Sequence, residues 1–136
     1  MSKNFNILEV GKSARSAALA LSEISDTVIS ETLVLFSSFI QKHKDQVLRA
    51  NHEDVQLAIL NNSSKAFVDR LKVDDDRINS LKTVMLDVAR QKSPVDQILE
   101  TKTRPNGLEI TKVTTPIGVI GVIFESRPNV FCDAAA

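Results

Sequence analysis

TPIGVIGVIFESRPNVFCDAAA, residues 115–136, is the stretch on which the fold turns. Its core, IGVIGVIF at residues 117–124, is almost continuously apolar, rich in β-branched side chains and free of charge. A strand with that composition calls for burial on both faces. Burial on both faces is the habit of central strands in α/β sheets, whose parallel neighbours are reached through crossover helices. ESRPNV then reads as a strand-to-helix loop, with a helix entered from Asp133 onward. The neighbouring strands do not follow, so the chain is expected to break off in the middle of an α/β unit. Gly118 and Gly121 allow close backbone approach in or beside the strand. Their G-x-x-G spacing is not the G-x-G-x-x-G phosphate fingerprint, and packing is their expected use.

Immediately upstream the pattern is that of a hairpin. After Ser93–Pro94, ILETKTR and LEITKVT alternate on either side of RPNG, whose Asn106–Gly107 can hold the positive φ values of a tight turn. Outward Thr, Lys and Glu predict one solvated face. Further upstream the period changes to that of helices. Ile7, Val10, Ala14, Ala17, Leu21 and Ile24 share one helical face. A second helix is expected from Ser25 or Asp26, with Ile29, Leu33, Phe36, Ile40 and Val47 on its stripe. Asn51 reads as the cap of a third helix carrying Val55, Ala58 and Ile59. Ser64 caps a short fourth with Phe67, Val68 and Leu71, and Asp74 opens a fifth with Ile78, Leu81, Met85 and Val88. Five helical segments therefore precede Pro94, and they could bury their apolar sides against one another or against a sheet.

Composition narrows the partners. The 136 residues carry 17 Lys plus Arg against 17 Asp plus Glu, so no net positive field draws in nucleic acid or anionic lipid. No apolar run approaches a membrane span or a signal-peptide core, which predicts a cytoplasmic protein. The single cysteine, Cys132, excludes an internal disulfide framework. His43 and His52 are too far apart for a helix-borne metal pair and read as surface histidines; no metal site is expected. Asp74, Asp75 and Asp76 lack the Gly turn and distal Glu of a calcium loop, and a helix amino-terminus accounts for their charge.

RPNGLEI, then PIGVIGVIFESRPNV, then DAAA, read in that order, resemble the γ-glutamyl phosphate reductases, also called glutamate-5-semialdehyde dehydrogenases. The resemblance extends back through ANHEDV at residues 50–55, DRL at 69–71 and SPVDQIL at 93–99, covering essentially the whole chain. It implies an α/β, aldehyde-dehydrogenase-like amino-terminal portion: about five helices, a β-hairpin, then the first strand of a truncated Rossmann-like cofactor domain. Residues 1–93 would be the helical part of that domain, 94–115 the hairpin, and 116–136 its first strand, active-site loop and the start of a helix.

The resemblance further implies NADPH-dependent reduction of L-glutamyl 5-phosphate to the semialdehyde in proline biosynthesis, in the cytoplasm. In such enzymes a cysteine thiolate attacks the acyl phosphate and the resulting thioester accepts hydride from the nicotinamide. Asn129 matches the loop asparagine whose amide faces the developing oxyanion, and Glu125, Ser126, Arg127 and Pro128 match the same substrate- or cofactor-contacting loop. Arg127 has the charge and reach for a substrate phosphate or carboxylate, or for a structural ion pair within the loop. No cofactor-binding residue is assigned.

The family's nucleophile lies beyond residue 136, and Cys132 stands where the family has an ordinary apolar residue, so a small buried thiol is expected there. Three other positions depart from the family pattern: Asp96 replaces a Gly, Thr115 an apolar residue and Phe131 a Thr. The expectation is a chain inactive alone, whose partners are a small-molecule substrate and either a homo-oligomer or a missing carboxyl-terminal remainder that it complements. A reading of another class is a non-enzymatic interaction module that docks through its hairpin edge.

Overall fold

The computed structural model describes residues 6–136. Among them the order is α1 (Ile7–Leu21), α2 (Asp26–Lys42), α3 (Lys44–Leu60), α4 (Lys65–Leu71), α5 (Asp75–Ala89), β1 (Ile98–Thr103), β2 (Glu109–Val113) and α6 (Val130–Ala135). These elements form two compact units: one takes in the chain up to Ser25 together with Lys92–Gly121, the other Asp26–Gln91 together with Val122–Ala136.

The second unit is built around α2 and α5. Leu33 and Ser37 are buried on α2, and Ile78 and Met85, two turns apart on α5, are each 1% exposed. Removing one such aliphatic side chain from water is worth roughly 1.5–3 kcal/mol. α6 joins this core through buried Cys132 and through Phe131, whose ring meets Phe36 of α2 edge to face at 6.3 Å. The predicted caps form: the Ser64 hydroxyl accepts from the Phe67 N–H at 3.2 Å, and the Asp74 carboxylate from the Arg77 N–H at 3.0 Å. Each satisfies a donor that a helix start leaves unpaired.

Two helix boundaries differ from expectation. The chain breaks at His43, which adopts φ −101° and ψ 16° between α2 and α3, so Val47 belongs to α3 and not to the stripe of α2. No Gly or Pro marks the break. The His43 ring stacks on Phe39 at 4.3 Å, and its Nδ1 lies 3.3 Å from Gln46 Oε1. Asn51 is no helix start; it sits buried inside α3. Its Nδ2 donates to the Leu71 carbonyl at 2.8 Å and its Oδ1 accepts from the Val73 N–H at 2.6 Å. It closes the end of α4, twenty residues away, in place of the water that would otherwise serve those groups.

In the first unit, α1 starts where the Asn6 side chain accepts from the Leu8 N–H at 3.1 Å. Its apolar stripe forms, yet none of its residues is buried. β1 and β2 pair antiparallel with Thr101 opposite Thr111 and Thr103 opposite Glu109, and an irregularity lies between Ile98 and Glu100. At the tip the Gly107 N–H donates to the Arg104 carbonyl and the Arg104 N–H to the Leu108 carbonyl. Only Gly107 takes a positive φ, +84°; Asn106 does not. Pro105 fixes a negative φ one residue earlier, which favours a type I turn followed by a left-handed glycine. Both hairpin faces are exposed, not one.

The apolar run at residues 117–124 forms no strand. Among the described residues the two strands pair with each other, and a strand without a ladder partner has nothing to satisfy its backbone. Ile117 is 88% exposed and Ile123 fully exposed, the opposite of the burial their composition requires.

Candidate functional site

α5 presents two adjoining faces. Ile78 and Met85 point into the core, while Arg77, Ser80, Leu81 and Val84, spaced three and four apart, line a cavity of about 480 Å³. Arg70 in the last turn of α4, Arg127 and Asn129 in the loop before α6, and Asp133 of α6 complete its lining. All of it lies within the second unit.

The loop is held in an uncommon conformation. Ser126 has φ +51°, a left-handed value that non-glycine residues visit rarely. Its hydroxyl accepts from Arg70 Nε at 3.5 Å, tying the loop to α4. Arg127 precedes Pro128, whose ring disfavours helical backbone at that position. Helical backbone is therefore disfavoured at Arg127, and α6 begins at Val130, three residues ahead of the expected entry at Asp133, with Asn129 at φ −64° and ψ −28° in the position just before it. The Asn129 side chain does not cap the helix. Its Nδ2 donates to Asp133 Oδ2 at 3.0 Å. A carboxylate only accepts, so this bond fixes which way the amide points and uses one of its two N–H groups.

The electrostatics of the lining are one-sided. Three guanidinium groups face a single carboxylate, and among the described residues none of Arg70, Arg77 and Arg127 has an ion-pair partner. Arg77 is partly committed: its Nη1 donates to the carbonyls of Arg70, at 3.3 Å, and of Lys72, clamping the end of α4. Among the described residues the Arg127 guanidinium makes no hydrogen bond and no ion pair, so the ion pair considered for it within the loop does not form there.

Of the five loop residues singled out from sequence, Arg127 and Asn129 line the cavity, and Ser126 reaches Arg70. Glu125 is exposed outside it and Pro128 is half-buried outside it. Sequence reasoning missed Arg70, Arg77 and Asp133. The first lies in the DRL stretch noticed only as a resemblance, and Asp133 stands four residues after Asn129, a spacing at which helix side chains meet. Cys132 is 6% exposed and absent from the lining; burial foremost, then the Asp133 charge, raises its thiol pKa. That is the opposite of what a nucleophile needs. A Cβ added at Gly118 or Gly121 would meet nothing within 4 Å, so neither the expected packing nor a dinucleotide cradle surrounds them among the described residues. No group of three His, Cys, Asp or Glu among those residues could hold a metal, and no helix there is long and apolar enough to cross a membrane.

No family profile matches the chain. Individual proteins do. A gamma-glutamyl phosphate reductase from Bartonella tribocorum is 46% identical over 127 residues, and one from Zymomonas mobilis 44% identical over 127. Each alignment takes in 93% of this chain. The crystal structure of the Thermotoga maritima gamma-glutamyl phosphate reductase superposes with a TM-score of 0.91 at 31% identity over 96% of this chain. The Saccharomyces cerevisiae enzyme gives 0.89 at 28% identity. The chain is homologous to the amino-terminal part of the gamma-glutamyl phosphate reductases. It spans 31% of the length of the Bartonella relative and 30% of the Zymomonas one. The gamma-glutamyl phosphate reductase structures have the aldehyde dehydrogenase fold, and the six helices and hairpin described above correspond to their amino-terminal portion. In that framework the loop at residues 125–129 and the helices beneath it are the part of the gamma-glutamyl phosphate reductase match that carries the cavity.

Proposed function

We propose that this chain serves the NADPH-dependent reduction of L-glutamyl 5-phosphate to L-glutamate 5-semialdehyde in cytoplasmic proline biosynthesis, by supplying the oxyanion-binding side of the site. The observation that carries this reading is the seating of Asn129. Its amide lines a positively charged cavity and is oriented by Asp133, with one N–H engaged and one left over. A donor aimed before the reaction begins costs no reorganisation when charge develops on the acyl oxygen, and such a donor is worth roughly 3 kcal/mol.

NADPH supplies the hydride in this assignment. Within the same reading residues 1–93 and 116–136 belong to the cofactor domain and 94–115 form a hairpin beside it. Cys132, which is buried and whose pKa burial raises, is not assigned as the thiolate that the reaction needs. These 136 residues by themselves are therefore expected to give no turnover, and the partner is a carboxyl-terminal remainder bearing the reactive cysteine.

The test is to co-express the chain with the unmatched carboxyl-terminal part of the Zymomonas relative and follow NADPH oxidation on glutamyl phosphate. The mixture is expected to turn over where neither part does, and Asn129→Ala to lower kcat by about a hundredfold or more. A silent mixture whose two parts are both folded overturns the reading. So does an Asn129→Ala mixture as fast as the unaltered one.

A further inference from the structure

The arginines of the cavity do more than the oxyanion role requires. We propose that Arg70, Arg77 and Arg127 form a phosphate-binding subsite beside Asn129, with Arg70 and Arg127 as the contact residues. This deepens the reading above and rests on it for one thing only, the identity of the molecule that carries the phosphate.

The three side chains arrive from separate elements, the end of α4, the exposed side of α5 and the loop before α6, and line one cavity. Such convergence of like charge is unfavourable unless something offsets it. Inside the cavity the protein offers one carboxylate, Asp133, and that carboxylate is engaged by Asn129. The Arg127 guanidinium has no hydrogen bond or ion pair among the described residues, and Arg70 commits only Nε, to Ser126. Both therefore keep paired N–H donors in the fork geometry that fits a phosphate oxygen pair. Arg77 adds charge to the same cavity while its Nη1 holds the carbonyls of Arg70 and Lys72.

Two features favour phosphate over a carboxylate. The surplus of positive charge matches a dianion. The cations come from three separate elements of the chain, which suits a tetrahedral oxyanion better than a planar one. At about 480 Å³ the cavity exceeds a phosphate group and leaves room over the apolar floor of Leu81 and Val84 for the short acyl chain attached to it. The phosphate is thus that of an acyl-phosphate substrate, held where its departure would be eased by the same cations.

Phosphorus NMR and calorimetric titration of the whole 136-residue chain with inorganic phosphate test this at constant ionic strength. Phosphate is expected to bind, with Arg70→Gln and Arg127→Gln each weakening it about tenfold. Lys12→Gln, on an exposed turn of α1, is expected to leave it unchanged. Both arginines are exposed, so the variants should keep the parent's circular dichroism. Arg70→Lys and Arg127→Lys, which keep the charge without the fork, should retain part of the affinity and give a second reading.

Absence of phosphate binding overturns the proposal, as does binding that ignores both glutamine variants. Glutarate binding more tightly than phosphate would make this a carboxylate site. Adenosine 2′-phosphate binding more tightly than phosphate would assign it to the cofactor; either result overturns the assignment. Arginine-dependent phosphate binding with a silent co-expression assay leaves the subsite standing and removes the proposed reaction, and the reverse pattern does the opposite.

Discussion

Asp96 occupies a left-handed backbone position, φ +56°, at the base of the hairpin, where its N–H donates to the Thr114 carbonyl. This is the position at which a Gly is usual in the resembled family. A side chain there crowds its own backbone by roughly 1 kcal/mol or more, which glycine avoids. Asp96→Gly is accordingly expected to stabilise the hairpin by about 1 kcal/mol, read as a higher urea midpoint.

Cys132 makes a prediction about pH. Its pKa is raised, chiefly by burial and then by Asp133, so the folded chain holds the thiol proton more tightly than the unfolded chain does. The associated stability is fully present below the ordinary thiol value of 9.0 and is lost as pH climbs above it. Parent stability is expected to fall with pH in that range relative to Cys132→Ala, and iodoacetamide is expected to label the native chain far more slowly than the denatured one. Equal labelling rates would mean that the thiol is exposed.

At the scale of elements, Asn51 joins the end of α4 to the turn before α5 from inside α3. Asn51→Ala leaves a part-buried carbonyl and a part-buried N–H without their partner, at a cost of about 1–2 kcal/mol. A drop in the denaturation midpoint of that size is expected; a change within error would show that water replaces the amide.

Helix existence and the starts of α4 and α5 were legible, because Ser64 and Asp74 act on N–H groups three residues away. The role of Asn51 was not, because its partners lie twenty and twenty-two residues on, and a cap pattern in sequence looks the same whether the side chain turns to its own helix or to another. The break at His43 was illegible for a related reason: no Gly or Pro encodes it, and the stripe of α2 runs on in period through Val47.

For the whole molecule the dominant fact is uncovered apolar surface. Ile117, Ile120 and Ile123 are 88%, 64% and 102% exposed, and α1 and the hairpin bury nothing fully. A β-branched, uncharged run without a ladder partner is a pairing template. The isolated 136-residue chain is expected to self-associate with rising concentration in sedimentation experiments, and Ile123→Lys to reduce that association without altering the helical circular dichroism. A monodisperse parent chain at all concentrations would contradict this.

What the sequence by itself determined follows from what is local. Helix periodicity, two caps, the hairpin and the turn-forming glycine depend on contacts within a few residues, and the loop resembling a reductase's was readable because its residues are consecutive. The strand at residues 117–124 depends on partners outside that range, so its composition announced a strand that the described chain does not form. Only the tertiary structure placed Arg70 and Arg77 beside Arg127 and Asn129. Arg77 and Arg127 stand fifty positions apart in the chain, and no spacing rule links them; the burial of Ile78 and Met85 against α2 turned the other face of α5 toward the loop.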